Sequence, residues 1–106
     1  MDLADRYTYR VIWSQDDQEF VGLCAEFPSL SWLEEVREDA LRGIVDAVRQ
    51  TLADFDPAEK VPEPLTERRY TGELRVRLPP RVHQRLAVEA AECGSSLNKV
   101  IVQKLS

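Results

Sequence analysis

A chain of 106 residues has room for one ordinary domain or two very small ones, and its 43% hydrophobic content argues against wholesale disorder. The net charge of −5 argues against a general nucleic-acid binder, but the charge is unevenly spread. Residues 1–72 carry a net of −8 and residues 73–106 a net of +3, the pattern expected when only the tail meets phosphate. Asp2 and Asp5 stand where a secretory signal carries basic residues, and no long apolar run follows, so a cytoplasmic protein without a membrane partner is expected. Cys24 and Cys93 lie far apart with no paired Cys or His nearby, and each reads as a buried small hydrophobe.

In chain order, Tyr7–Trp13 alternates as a half-buried strand, with Tyr7, Tyr9, Val11 and Trp13 on one face and Thr8 and Arg10 on the other. Ser14–Gln18 is a polar turn, and Glu19–Ala25 returns as a second strand to make an antiparallel hairpin. Phe27-Pro28 interrupts, and Ser29–Leu33 supplies a third short strand. From Val36 to Phe55, Val36, Ala40, Leu41, Ile44, Val45, Val48, Leu52 and Phe55 recur at intervals of three and four, the apolar stripe of a helix. Such a helix is roughly 30 Å long, enough to cover a small sheet. Asp56-Pro57 ends it. Pro57, Pro62 and Pro64 then mark a linker or extended edge segment, because proline removes a donor that a central strand needs. The expected organisation is residues 1–56 as one domain, 57–72 as the proline-containing segment and 73–106 as a second domain.

In that second domain Leu74, Val76 and Leu78 share one face of a strand, and Glu73, Arg75 and Arg77 the other. Pro80 suits the first turn of a helix running to about Cys93, Gly94 suits its left-handed end, and Ser95 or Ser96 caps a second helix containing Leu97, Val100, Ile101 and Leu105. The unit falls below the roughly 40 residues at which a lone domain usually fails, so folding coupled to pairing with a second copy is expected.

The order strand, Arg-Leu-Pro, helix, Gly-Ser-Ser-Leu-Asn from Leu74 to Asn98 resembles the ribbon-helix-helix repressors of the MetJ/Arc type. The resemblance implies an intertwined dimer with a core of Leu74, Val76, Leu78, Leu86, Leu97, Val100 and Ile101. It further implies that Glu73, Arg75 and Arg77 face DNA bases, with Ser95, Ser96, Leu97, Asn98 and Lys99 around a phosphate. Phe27-Pro28-Ser29-Leu30-Ser31-Trp32, Glu38-Asp39-Ala40-Leu41 and Pro62-Glu63-Pro64-Leu65, in this order, are similar to the HicB family of antitoxins. Leu33-Glu34-Glu35 departs from the Gly-Asp turn common in that family.

The expected fold is thus α+β: a small antiparallel sheet with one long helix, HicB-like and partly RNase H-like, followed by a C-terminal β-α-α ribbon-helix-helix. The implied function is a toxin–antitoxin antitoxin whose acidic body neutralises a basic HicA-type mRNA interferase. Its tail would bind operator DNA, as a homodimer or tetramer, and repress its own operon. The alternative is a stand-alone ribbon-helix-helix repressor with a ligand-binding or oligomerising N-terminal domain. No catalytic residues, metal site or cofactor are expected: Asp16, Asp17 and Glu19 share one solvated turn, and His83 reads as a surface residue.

Overall fold

The computed structural model describes Met1–Ser106 and divides into two units, Met1–Tyr70 and Thr71–Ser106. In the first unit, the aromatic and β-branched residues near the N-terminus form β1 (Tyr9–Ser14), which pairs antiparallel with β2 (Glu19–Cys24). Ser14 lies opposite Glu19, so the turn contains only Gln15–Gln18. Gln18 takes the left-handed conformation at φ 54° that closes it. The third strand, β3 (Ser31–Glu34), begins two residues later than the sequence suggests and completes a sheet of order β1-β2-β3.

Residues opposite one another across the ladder share a face. Val11, Gly22 and Trp32 face one way; Ile12, Val21 and Leu33 face the other. The first face takes helix α1 (Arg37–Ala53), whose Ala40, Ile44 and Val48 are wholly buried. The close approach depends on two glycines. A Cβ on Gly22 would lie 2.5 Å from the Ala40 carbonyl oxygen, and one on Gly43 would enter the Trp32 indole. Tyr7, Cys24 and Phe27 extend this core, with Phe27 edge-on to both Tyr7 and Phe55. A 3-10 turn, Leu3–Arg6, is held to α1 by Arg49, which donates to Asp2 Oδ2 at 3.1 Å and Asp5 Oδ1 at 2.9 Å.

The proline-rich stretch belongs to this unit and is tied back onto it. Pro62 accepts a hydrogen bond from the Tyr7 hydroxyl at 2.7 Å, Leu65 donates to Glu26, and Glu67 pairs with Arg6 at 3.1 Å. These bonds tie residues to partners 55, 39 and 61 positions away in sequence.

The second unit contains α2 (Pro80–Cys93) and α3 (Leu97–Leu105). Gly94 ends α2 at φ 64°, and the Ser96 hydroxyl caps α3 by accepting from Lys99 N–H at 3.1 Å. The expected strand at Glu73–Leu78 is not formed: residues 73–79 carry no regular secondary structure, and every strand of the chain lies N-terminal to α1. Alternation alone does not make a strand; the backbone needs a second strand to exchange hydrogen bonds with, and the Thr71–Ser106 unit contains none. Leu74 and Val76 are accordingly 81% and 61% exposed. The fold is α+β, with an N-terminal antiparallel sheet plus helix and a C-terminal unit whose only regular elements are helices. The ribbon-helix-helix, and the intertwined dimer that rested on its ribbon, are corrected accordingly.

Candidate functional site

Glu73, Arg75 and Arg77 are all exposed on the irregular segment and form no ion pair. Without a ribbon there is no rigid face to present them to base edges, so the operator-binding and autorepression readings fall, as does the stand-alone repressor, which needs the same element. Ser95, Ser96, Asn98 and Lys99 do come together around an open hollow of 490 Å³ at the start of α3. Leu97 faces elsewhere: with Val76, Leu78, His83, Leu86 and Ile101 it lines an apolar cleft of 160 Å³. Val100 is buried, and Leu74 stands apart in solvent.

In the first unit the distinctive surface is the sheet face opposite α1. Antiparallel sheets commonly leave one face to water, and that face then carries polar side chains. Here its middle row is Ile12, Val21 and Leu33, apolar in all three strands, and Leu23 extends it on β2. Ile12 and Leu33 are each 41% exposed. Below them Thr8, Arg10, Leu23, Ala25 and Pro28 border a hollow of 230 Å³. Asp16 and Asp17 stand in the solvated turn at the other end, where Asp17 accepts from the Ser14 hydroxyl at 2.8 Å. The sequence held a sign of this face. Val11-Ile12-Trp13 is an unbroken apolar run, and strict alternation would have put a polar residue at position 12.

Glu26 is the one buried charged residue, and its environment is structural. Oε1 accepts from Thr8 N–H at 2.9 Å; Oε2 accepts from the Thr8 hydroxyl at 3.1 Å and from Leu65 N–H at 2.9 Å. Burial pushes its carboxyl up, but the N–H donors of Leu65 and Thr8 outweigh that and hold it below the usual range. With its oxygens engaged by the fold, Glu26 is a tie between segments rather than a proton carrier.

Of the two cysteines, Cys24 is buried in the core as expected, whereas Cys93 is exposed at the end of α2. Burial raises the Cys24 pKa. A thiol reagent such as DTNB is therefore expected to titrate Cys93 promptly in the folded protein and Cys24 only after urea unfolding. Prompt reaction of both thiols would contradict this packing.

No group of three or more His, Cys, Asp or Glu side chains is placed to hold a metal ion. No helix is long and apolar enough to cross a membrane. The HicB family model matches residues 58–105, less than half of the chain. No curated protein and no solved structure gives a significant match. The HicB likeness leaves the antitoxin reading without its main supports. It lies outside residues 1–56, where toxin neutralisation was expected, and the strand needed for operator repression is missing.

Proposed function

We infer that this is a non-enzymatic protein-binding module that receives a partner protein on the uncovered face of its N-terminal sheet. One observation carries the reading: the row Ile12–Val21–Leu33 places apolar side chains across all three strands on a face with no second layer. Contiguous exposed apolar surface on a rigid sheet is the usual mark of an interaction site, because covering it releases ordered water. The face is rigid because α1 fills the other side and Glu26 closes the end of the hairpin.

A photo-reactive amino acid placed at position 33 is expected to cross-link one discrete partner in the native host, while the same group at exposed Gln50 on α1 does not. Ile12→Asp is expected to abolish the cross-link without changing the melting temperature by more than about 4 °C, since the residue is already partly in water. Equal cross-linking from both positions, or an undiminished cross-link in Ile12→Asp, would overturn the reading.

A further inference from the structure

The free edge of β1 carries more structure than an ordinary sheet edge. Ala25 N–H donates to the Thr8 carbonyl at 2.9 Å, which fixes the phase of the β1–β2 ladder. Thr8, Arg10 and Ile12 therefore turn their backbone groups toward β2, and Tyr9, Val11 and Trp13 turn theirs outward. β1 is the outermost strand, and no hydrogen bond outside the ladder engages the backbone of those three residues. Two hollows flank this edge and meet at Tyr9 and Arg10. One, of 230 Å³, lies on the open face; the other, of 310 Å³, lies between β1 and α1 and is lined by Val11, Arg37, Glu38 and Leu41.

An extended chain laid along such an edge presents alternate side chains to opposite faces, one set to each hollow. The charges in the hollows indicate which chain fits. Arg10 lines both hollows and Arg37 lines the second, and neither forms an ion pair. On the sheet-and-helix part of the same unit the other arginines are neutralised: Arg6 by Glu67, Arg42 by Asp39, and Arg49 by Asp2, Asp5 and Asp46; Arg68 and Arg69, in the stretch after the prolines, are also without an ion pair. Arg37 instead stacks its guanidinium 4.8 Å over the Phe20 ring, which holds it in place. Glu38 offsets only one of the two cations. In a unit whose overall charge is strongly negative, this edge is a local site for carboxylates.

We propose that β1 is a strand-addition site for an extended, acidic segment of a partner protein. The segment's backbone pairs with Tyr9, Val11 and Trp13, and its carboxylates meet Arg10 and Arg37. The proposal rests on the protein-binding reading for the class of partner, but it uses a different surface from Leu33.

The test uses the full chain and a fluorescein-labelled octapeptide alternating valine with glutamate, beside its valine–lysine counterpart. The acidic peptide is expected to raise polarisation and to protect the Tyr9, Val11 and Trp13 amides from hydrogen exchange. Binding is expected to weaken about tenfold or more in Arg10→Gln plus Arg37→Gln. Val11→Pro, which removes an outward N–H, is expected to abolish it; melting curves of both variants confirm the fold. Equal or tighter binding of the lysine peptide overturns the proposal, as does protection at Ser31 and Leu33 on the β3 edge. So does displacement of the peptide by a single-stranded oligonucleotide that gives no amide protection. If the acidic peptide fails while Ile12→Asp still abolishes partner cross-linking, this inference falls and the open-face reading stands.

Discussion

Glu26→Ala is expected to destabilise the N-terminal unit by about 3 kcal/mol, because it strands backbone donors from two segments at once. In the native protein the carboxylate accepts from Thr8 N–H, the Thr8 hydroxyl and Leu65 N–H. Alanine offers none of these an acceptor, and the side chain it replaces is only 9% exposed. Loss of the Leu65 bond also frees the 58–70 stretch, so trypsin is expected to cut faster at Lys60, Arg68 and Arg69. Glu26→Gln keeps one carbonyl acceptor and is expected to fall between alanine and wild type. The pH dependence follows from the lowered pKa of Glu26. A carboxyl depressed on folding contributes stability that is fully present above its unfolded pKa of about 4.3, and that is lost as pH falls through the folded value. Asp2, held low by its hydrogen bond from Arg49, adds a change of the same sign. The urea midpoint of wild type is thus expected to drop more steeply below about pH 4.3 than that of Glu26→Gln. Parallel curves, or unchanged proteolysis in Glu26→Ala, would show that the carboxylate does not tie these segments together.

Gly22→Ala is expected to cost a similar amount by a different route. Its methyl carbon would sit 2.5 Å from the Ala40 carbonyl oxygen and 2.8 Å from Ile44 Cγ2, contacts that no rotamer change relieves because one neighbour is backbone. Relief requires α1 to lift from the sheet. Overpacking of this kind costs about 3 kcal/mol at the upper end of its usual range. For a domain of this size that lowers Tm by roughly 15 °C. Gly43→Ala supplies the contrast. Its methyl would also clash, but with the indole of Trp32, a 42% exposed side chain that can turn away at the cost of its 3.0 Å Nε1 hydrogen bond to Glu34. A smaller loss is expected there, and calorimetry of the two variants compares them directly. Equal losses would mean that the helix–sheet spacing is not set at Gly22.

The sequence by itself determined the elements whose signals are local. The two strands of the hairpin, the long helix from its apolar spacing, the left-handed end at Gly94 and the cap at Ser96 depend on neighbours a few residues away. Tertiary structure decided whatever depends on a distant partner. Leu74, Val76 and Leu78 alternate as clearly as β1 does, yet a strand exists only where a second backbone answers its N–H and C=O groups, and their own unit holds no other strand. The prolines of 57–64 read as a linker because proline lowers strand propensity locally; Tyr7, Glu26 and Arg6 hold the stretch from positions far away in sequence. The uncovered face at Ile12, Val21 and Leu33 follows the same rule. Alternation assigns each residue a side of the sheet, and only the placement of α1 decides which side is left to water.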